Sequence, residues 1–148
     1  MWSERDEFIP LGALGGYWSV SESTLRRQKR DGALLTVKHR GRLMVAIDEI
    51  RRCEDERVPV DAEGRPVPLD AARRREPLLR VDAAAKVARY DPDTLYDLAA
   101  KDAAPSVKVF GARRFREAAL RAWIAQGPKA RVAPLAKPDP RLNGKTGK

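Results

Sequence analysis

Residues 9–53, IPLGALGGYWSVSESTLRRQKRDGALLTVKHRGRLMVAIDEIRRC, can be laid without a gap on residues 79–123, LRVDAAAKVARYDPDTLYDLAAKDAAPSVKVFGARRFREAALRAW, at a constant offset of 70. Only eight of the 45 aligned positions are identical. The phase of the structural positions carries the comparison. Ile9, Leu11 and Leu14 fall on Leu79, Val81 and Ala84, Thr24-Leu25 on Thr94-Leu95, Val37-Lys38 on Val107-Lys108, Gly41 on Gly111, and Ile50 on Leu120. Self-similarity at a fixed period takes precedence over length when a chain is divided. The 148 residues, ordinarily one domain, therefore read as two modules of about 50 residues each, near the lower limit for independent folding. The expected boundaries are a first module at 1–56, a linker at 57–77, a second module at 78–126 and a tail at 127–148.

Local signals give each module the same element order. In the first, Leu11 to Tyr17 predicts a short helix, intrinsically poor because of Gly12, Gly15 and Gly16. Ser21 is a good N-cap for a second helix, Glu22 to Arg30, ended near Asp31-Gly32. An extended stretch, Leu34 to Val37, a polar tip at His39-Arg40-Gly41-Arg42 and a return strand, Leu43 to Ala46, follow. Asp48 is the expected cap of a last helix, Glu49 to about Asp55. In the second module Asp82 is expected to cap Ala83 to Arg89. Asp91 caps the next helix, with Pro92 at its first position, where a missing N–H costs nothing. That helix runs to about Lys101; Val107 to Phe110 and Arg114-Phe115 form a hairpin, and Glu117 to Ala125 closes the module. Helix, turn, helix, two-stranded hairpin, helix is the order of a winged helix-turn-helix. The expected fold is mostly α with small β-hairpin wings, in two tandem winged helix-turn-helix modules.

Glu54 to Pro77 contains four prolines and the run Arg73-Arg74-Arg75, with little periodicity, and reads as a flexible linker. The tail, with Pro128, Pro134, Pro138 and Pro140 among scattered lysines, reads as disordered. Net charge is +9 and uneven: residues 1–56 carry ten basic and ten acidic side chains, residues 78–126 nine against six, and the tail six against one. Such a balance suits a polyanionic partner, nucleic acid before membrane. One cysteine, Cys53, leaves no internal disulfide, and one histidine, His39, leaves no common Cys/His zinc pattern. Cys53 aligns with Trp123 and reads as a buried apolar residue. No apolar run approaches the ~20 residues of a membrane span. The charged start, Met-Trp-Ser-Glu-Arg-Asp-Glu, is unlike a secretion signal. The expected location is cytoplasmic, at the nucleoid.

The second module resembles the excisionase and AlpA-like helix-turn-helix family, which is related to the DNA-binding heads of MerR-type regulators. The resemblance lies in Leu78-Leu79-Arg80-Val81, Ala83 to Val87, Thr94-Leu95-Tyr96, Val107-Lys108-Val109, Arg113-Arg114-Phe115 and Leu120-Arg121-Ala122-Trp123. The first module is similar more loosely, through Val20-Ser21, Ser23-Thr24-Leu25-Arg26-Arg27 and Gly32-Ala33-Leu34, with glycines where alanines are usual in its first helix. The resemblance implies binding of double-stranded DNA.

In that geometry the second helix of each module lies in the major groove, and the wing meets backbone or minor groove. In the first module Ser23, Arg26, Arg27 and Arg30 share one outward helix face, Thr24 stands beside them, and Lys29 is placed for phosphate. Arginine can pair with guanine O6 and N7 in bidentate fashion; a merely solvated basic face is the alternative. Lys38, Arg40 and Arg42 occupy the first wing. In the second module Asp91, Asp93 and Asp97 replace the basic positions, leaving Thr94, Tyr96 and Lys101 on the helix and Lys108, Arg113, Arg114 and Arg116 on and after the wing. Carboxylates against phosphates are unfavourable, so this helix is expected either to read DNA or to face a protein.

The expected function is that of a sequence-specific transcriptional regulator on double-stranded DNA, with tandem winged helices in neighbouring grooves. A flexible linker of this length spans about 25 Å, more where proline extends it, against roughly 34 Å between successive major grooves. The alternatives are an excisionase-like architectural factor of a phage or mobile element, and a phage packaging or scaffold protein with one DNA-binding and one protein-binding module. A recombinase or another protein is the expected partner of the second module. No enzyme, cofactor, metal site or membrane partner is expected.

Overall fold

The computed structural model describes residues 8–69, 75–127 and 130–135. The N-terminal half comprises β1 (Phe8–Pro10), α1 (Leu11–Trp18), α2 (Glu22–Arg30), the hairpin β2 (Val37–His39) and β3 (Arg42–Ala46), and α3 (Ile47–Cys53). The strand β4 (Asp55–Val60) comes next. The C-terminal half comprises α4 (Val81–Ala88), α5 (Pro92–Ala100), the hairpin β5 (Ser106–Val109) and β6 (Ala112–Arg114), α6 (Glu117–Ala125) and β7 (Arg131–Pro134). The strands form two antiparallel sheets, in the orders β1-β3-β2 and β6-β5-β4-β7. The fold is thus mixed α/β, where the sequence predicted mostly α with two small wings.

Backbone features recur at the offset of 70. Ile9 pairs with Val45 as Leu79 pairs with Phe115. Val37, Lys38 and His39 face Met44, Leu43 and Arg42, as Val107, Lys108 and Val109 face Arg114, Arg113 and Ala112. Each hairpin turns through two left-handed residues, Arg40-Gly41 (φ 51° and 79°) and Phe110-Gly111 (φ 49° and 83°). Two positive φ values give a twist that matches the flanking strands, which is why glycine holds the second place. The first helix of each half ends in a left-handed cap, Ser19 (φ 57°) and Arg89 (φ 61°). Gly15, unfavourable within α1, has a local reason: an added Cβ would sit 3.0 Å from the Val20 carbonyl oxygen.

The halves dock. Ile9, Leu14, Trp18, Leu25 and Val45 form a buried cluster that also takes in Leu78, Val107 and Val109 from the C-terminal half, with Phe110 packed against it. The second cluster is built of Ala84, Ala85, Leu95, Ala99, Phe115, Leu120 and Trp123, with Val132 of β7 against it. A core of about 50 residues is small, and the first one is enlarged by residues borrowed from its neighbour.

This arrangement corrects the expected linker and tail. Glu54 alone separates α3 from β4, and it is buried. β4 then pairs with β5 through Asp55–Arg57 and with β7 through Arg57–Val60. The chain therefore passes from one half to the sheet of the other without a tether. Val58 and Val60 are buried, and the Pro59 carbonyl accepts from Val67 N–H (2.9 Å) as the chain folds back. Arg131–Pro134 of the expected disordered tail is the strand β7; residues 70–74, with Arg73 and Arg74, and residues 136–148 lie outside the described residues. The expected caps Asp48 and Asp82 instead lie inside the first turns of α3 and α4, whose N-caps are Ala46 and Arg80. There their carboxylates face the positive helix ends.

Candidate nucleic-acid interface

Helix α2 is set by its cap and one apolar anchor. The Ser21 hydroxyl accepts from Thr24 N–H (3.1 Å), and Leu25 is fully buried. Ser23, Arg26, Arg27, Lys29 and Arg30 are exposed, and Thr24 is half-buried. Arg26 is paired with Glu22 one turn earlier (2.7 Å), which reduces the charge it can offer. Arg27, Lys29 and Arg30 have no carboxylate partner among the described residues and lie in the last turn, where positive charge also suits the helix dipole.

The hairpin β2–β3 is open on the β2 side, while β3 pairs with β1 and buries Val45. All three residues of β2 are exposed, and Lys38, Arg40 and Arg42 with them. Its base is pinned by Glu49, whose carboxylate accepts from Leu35 N–H (2.9 Å) and from Arg52 Nε and Nη2 (2.7 and 2.6 Å). Burial alone would raise the pKa of Glu49; the bonds from Arg52 and Leu35 overcome it and hold the group below its ordinary value. The neighbouring Cys53 thiol is pushed up to about 12, chiefly by burial and then by the charge of Glu49. It packs, partly buried, against the first core cluster.

Helix α5 has the same construction with different chemistry. The Asp91 carboxylate caps it by accepting from Asp93 N–H (3.1 Å), Pro92 opens it, and Leu95 and Ala99 are its buried face. Thr94, Tyr96, Asp93, Asp97 and Lys101 are exposed. The Arg113 guanidinium lies 5.5 Å over the Tyr96 ring and donates to Ser106 Oγ (3.2 Å). Lys108 is exposed, but Val107 and Val109 beside it are fully buried.

Two arginines expected at DNA are elsewhere. Arg116 is 3% exposed. It donates through Nε to Glu56 (2.9 Å) and through Nη1 to the Tyr17 hydroxyl (3.1 Å), with Glu54 3.9 Å away. Trp18 Nε1 donates to the other oxygen of Glu54 (2.9 Å). A buried guanidinium is tolerated only with such partners, and these leave it none to spare for phosphate. Burial, with a lesser contribution from Glu56, raises the Glu54 pKa, against the pull of Arg116. Arg114 is half-buried and donates to the carbonyl oxygens of Trp18 (3.2 Å) and Ser19 (2.9 Å). Arg80, absent from the expected contacts, also donates to Ser19 O (3.1 Å). Its alignment with Pro10 gave no signal of this.

Residues 78–128 match the family model of the helix-turn-helix domain. The match, of the excisionase and AlpA-like type, takes in α4, the turn at Arg89-Tyr90, α5, the second hairpin and α6. A helix-turn-helix domain supports double-stranded DNA as the partner. No curated protein and no solved structure matches the chain. Among the described residues, no helix is long and apolar enough to cross a membrane.

Proposed function

We propose that this protein is a sequence-specific regulator of transcription that grips double-stranded DNA with two winged helix-turn-helix units, the N-terminal one reading bases. The match at residues 78–128 supports the DNA-binding class. The observation that carries the division of labour is the contrast between the exposed helices. α2 presents Arg27, Lys29 and Arg30 without carboxylate partners among the described residues, whereas α5 presents Asp93 and Asp97. Bidentate arginine contacts discriminate bases in the major groove, and carboxylates repel phosphates. The wing β2–β3 adds Lys38, Arg40 and Arg42, placed for backbone or minor groove. With the halves docked, the spacing between α2 and α5 is a property of the shared core, and the tether that suggested neighbouring grooves is not part of the proposal. The reading assigns the chain no catalysis and no cofactor, and places it at the nucleoid.

A second reading, an excisionase-like architectural factor, is favoured by that same docking. Two DNA-facing units fixed at one angle bend a duplex that follows both, and bent DNA repays its deformation energy through added contacts. A protein partner such as a recombinase would then meet α5 with its Asp93 and Asp97.

The test is a footprint and titration of the full chain on DNA fragments. Arg27→Ala is expected to weaken specific binding by ~1–3 kcal/mol and relax preference at one base position. A variant that keeps its full site preference would remove α2 from base reading.

A further inference from the structure

Bonds from the C-terminal half converge on the turn that joins α1 to α2. Leu78 N–H donates to Tyr17 O (2.8 Å), and the Ser19 hydroxyl donates to Leu78 O (2.7 Å). Arg114 donates through Nε to Trp18 O (3.2 Å) and through Nη2 to Ser19 O (2.9 Å), and Arg80 Nη2 reaches the same Ser19 oxygen (3.1 Å). α1 has no basic residue in its own last turn. Its terminal carbonyls and negative dipole end are therefore met by guanidinium groups from the other half. Ser19 lies two residues before Ser21, the cap from which α2 starts. The matching turn at Arg89-Tyr90 receives no bond from the N-terminal half among the described residues.

We propose that Arg114, seconded by Arg80, is a positioning residue for α2: the C-terminal half sets the orientation at which the first helix-turn-helix unit meets DNA by clasping the Ser19 carbonyl. The proposal rests on α2 being the base-reading helix. Arg114 spends three of its five N–H groups inside the protein, Nε and Nη2 on the turn and Nη1 on Arg113 O (3.1 Å), so the turn and not a phosphate fixes where its guanidinium lies. Trp18, fully buried and edge-on to Phe110 at 5.5 Å, keeps the turn against the docked hairpin while the guanidinium fixes its carbonyls. A helix that must aim arginines at base edges loses discrimination when its first turn swings, even if no contact residue changes.

The experiment is a titration of the full chain against its selected site and against a scrambled duplex at several salt concentrations, with amide exchange on the free protein. Arg114→Ala should lower the ratio of specific to non-specific affinity by about ten-fold, the scale of a lost charge-assisted hydrogen bond. The dependence of log affinity on log salt should stay unchanged, since no phosphate contact is lost. Exchange at Val20 and Leu25, whose N–H groups bond Gly15 O and Ser21 O, should quicken. Ser19→Gly keeps the left-handed φ and every charge but removes the bond to Leu78 O; it should move both readouts the same way, less far. A salt slope shallower by about one, with equal loss on both duplexes, would make Arg114 a phosphate contact and overturn the proposal. So would unaltered exchange at Val20 in both variants. Arg27→Ala, run alongside, separates the two ideas: if it leaves site preference intact, the reading of α2 fails, while the exchange data still decide whether the clasp exists.

Discussion

The hairpins β2–β3 and β5–β6 have the same strand register and the same two-residue turn, yet β2 is exposed along its length and β5 is buried at all but Lys108. Val37 is 47% exposed and its counterpart Val107 fully buried. His39 is exposed where Val109 is buried, and Arg40 is exposed where Phe110 packs on Trp18. β2 is a free sheet edge, whereas β5 has β4 alongside it. Backbone shape follows from the glycine and the alternating pattern; what the hairpin touches follows from two or three side chains on one face. The half that matches the helix-turn-helix family has its hairpin sunk into the docking interface, and the other half keeps one free.

The largest test of this contrast is Arg116→Ala. Removing the cation takes from two buried carboxylates, Glu56 and Glu54, the positive charge that faces them, which costs on the order of 3–5 kcal/mol. Denaturant unfolding should show that loss, and Glu56→Gln added to it should restore part of the stability. A variant of undiminished stability with weakened DNA binding would return Arg116 to the DNA contacts.

Next comes a matched pair of substitutions. Val107→Ala should destabilise by ~1–3 kcal/mol, the value of a buried branched side chain. Val37→Ala, at the same register in the free hairpin, should stay within about 0.5 kcal/mol. Equal costs would mean that the two hairpins are equally buried in solution, and the contrast would fail.

Much of the local structure is legible in the sequence, and little of the docking. α2 and α6 run from Glu22 to Arg30 and from Glu117 to Ala125 as periodicity and the Ser21 cap predict. α1 extends one residue further, to Trp18. β4 was hidden by Pro59, which argues against a strand, and by Glu56, a charge on a buried face. Its reason for being there, Arg116, is 60 residues away. Arg114 poses the same difficulty: an arginine after a turn glycine has the same local sequence whether it meets phosphate or caps a helix of the other half. Local signals report on local partners; ion pairs and caps across a docking surface leave no periodicity behind.

Alkaline pH should also distinguish the halves. The Tyr17 hydroxyl is pushed up to about 12, first by burial and then by the charge of Glu54, and the Cys53 thiol is held equally high. Both groups have folded pKa values above their unfolded ones, so their contribution is fully present below the unfolded values and is lost as pH rises through about 12. Their counterparts at the offset of 70, Val87 and Trp123, carry no titrating proton in that range. Unfolding free energy should fall between pH 9 and pH 12, and Tyr17→Phe should flatten the fall. A pH profile unaffected by that substitution would place Tyr17 outside the interface.

The smallest expected effect concerns the hairpin tips, Arg40 and Phe110. Arg40 and Gly41 at the turn are exposed, and Arg40 has no ion-pair partner among the described residues. If the free hairpin follows the DNA backbone, Arg40→Ala should leave stability unchanged, weaken all duplexes alike and make the salt slope shallower by about one, because one fewer counterion is released. Phe110→Ala should do the reverse. It removes the ring seated edge-on against Trp18, lowers stability through lost packing, and leaves the salt slope alone because it carries no charge. The two substitutions therefore cross: one reads out in DNA titrations and is silent in unfolding, the other is visible in unfolding without changing the number of ions released. A shallower slope from Phe110→Ala would mean that the docked hairpin, through its placement of Lys108 or Arg113, also bears on phosphate, and that the second hairpin keeps part of a wing's work while serving as core.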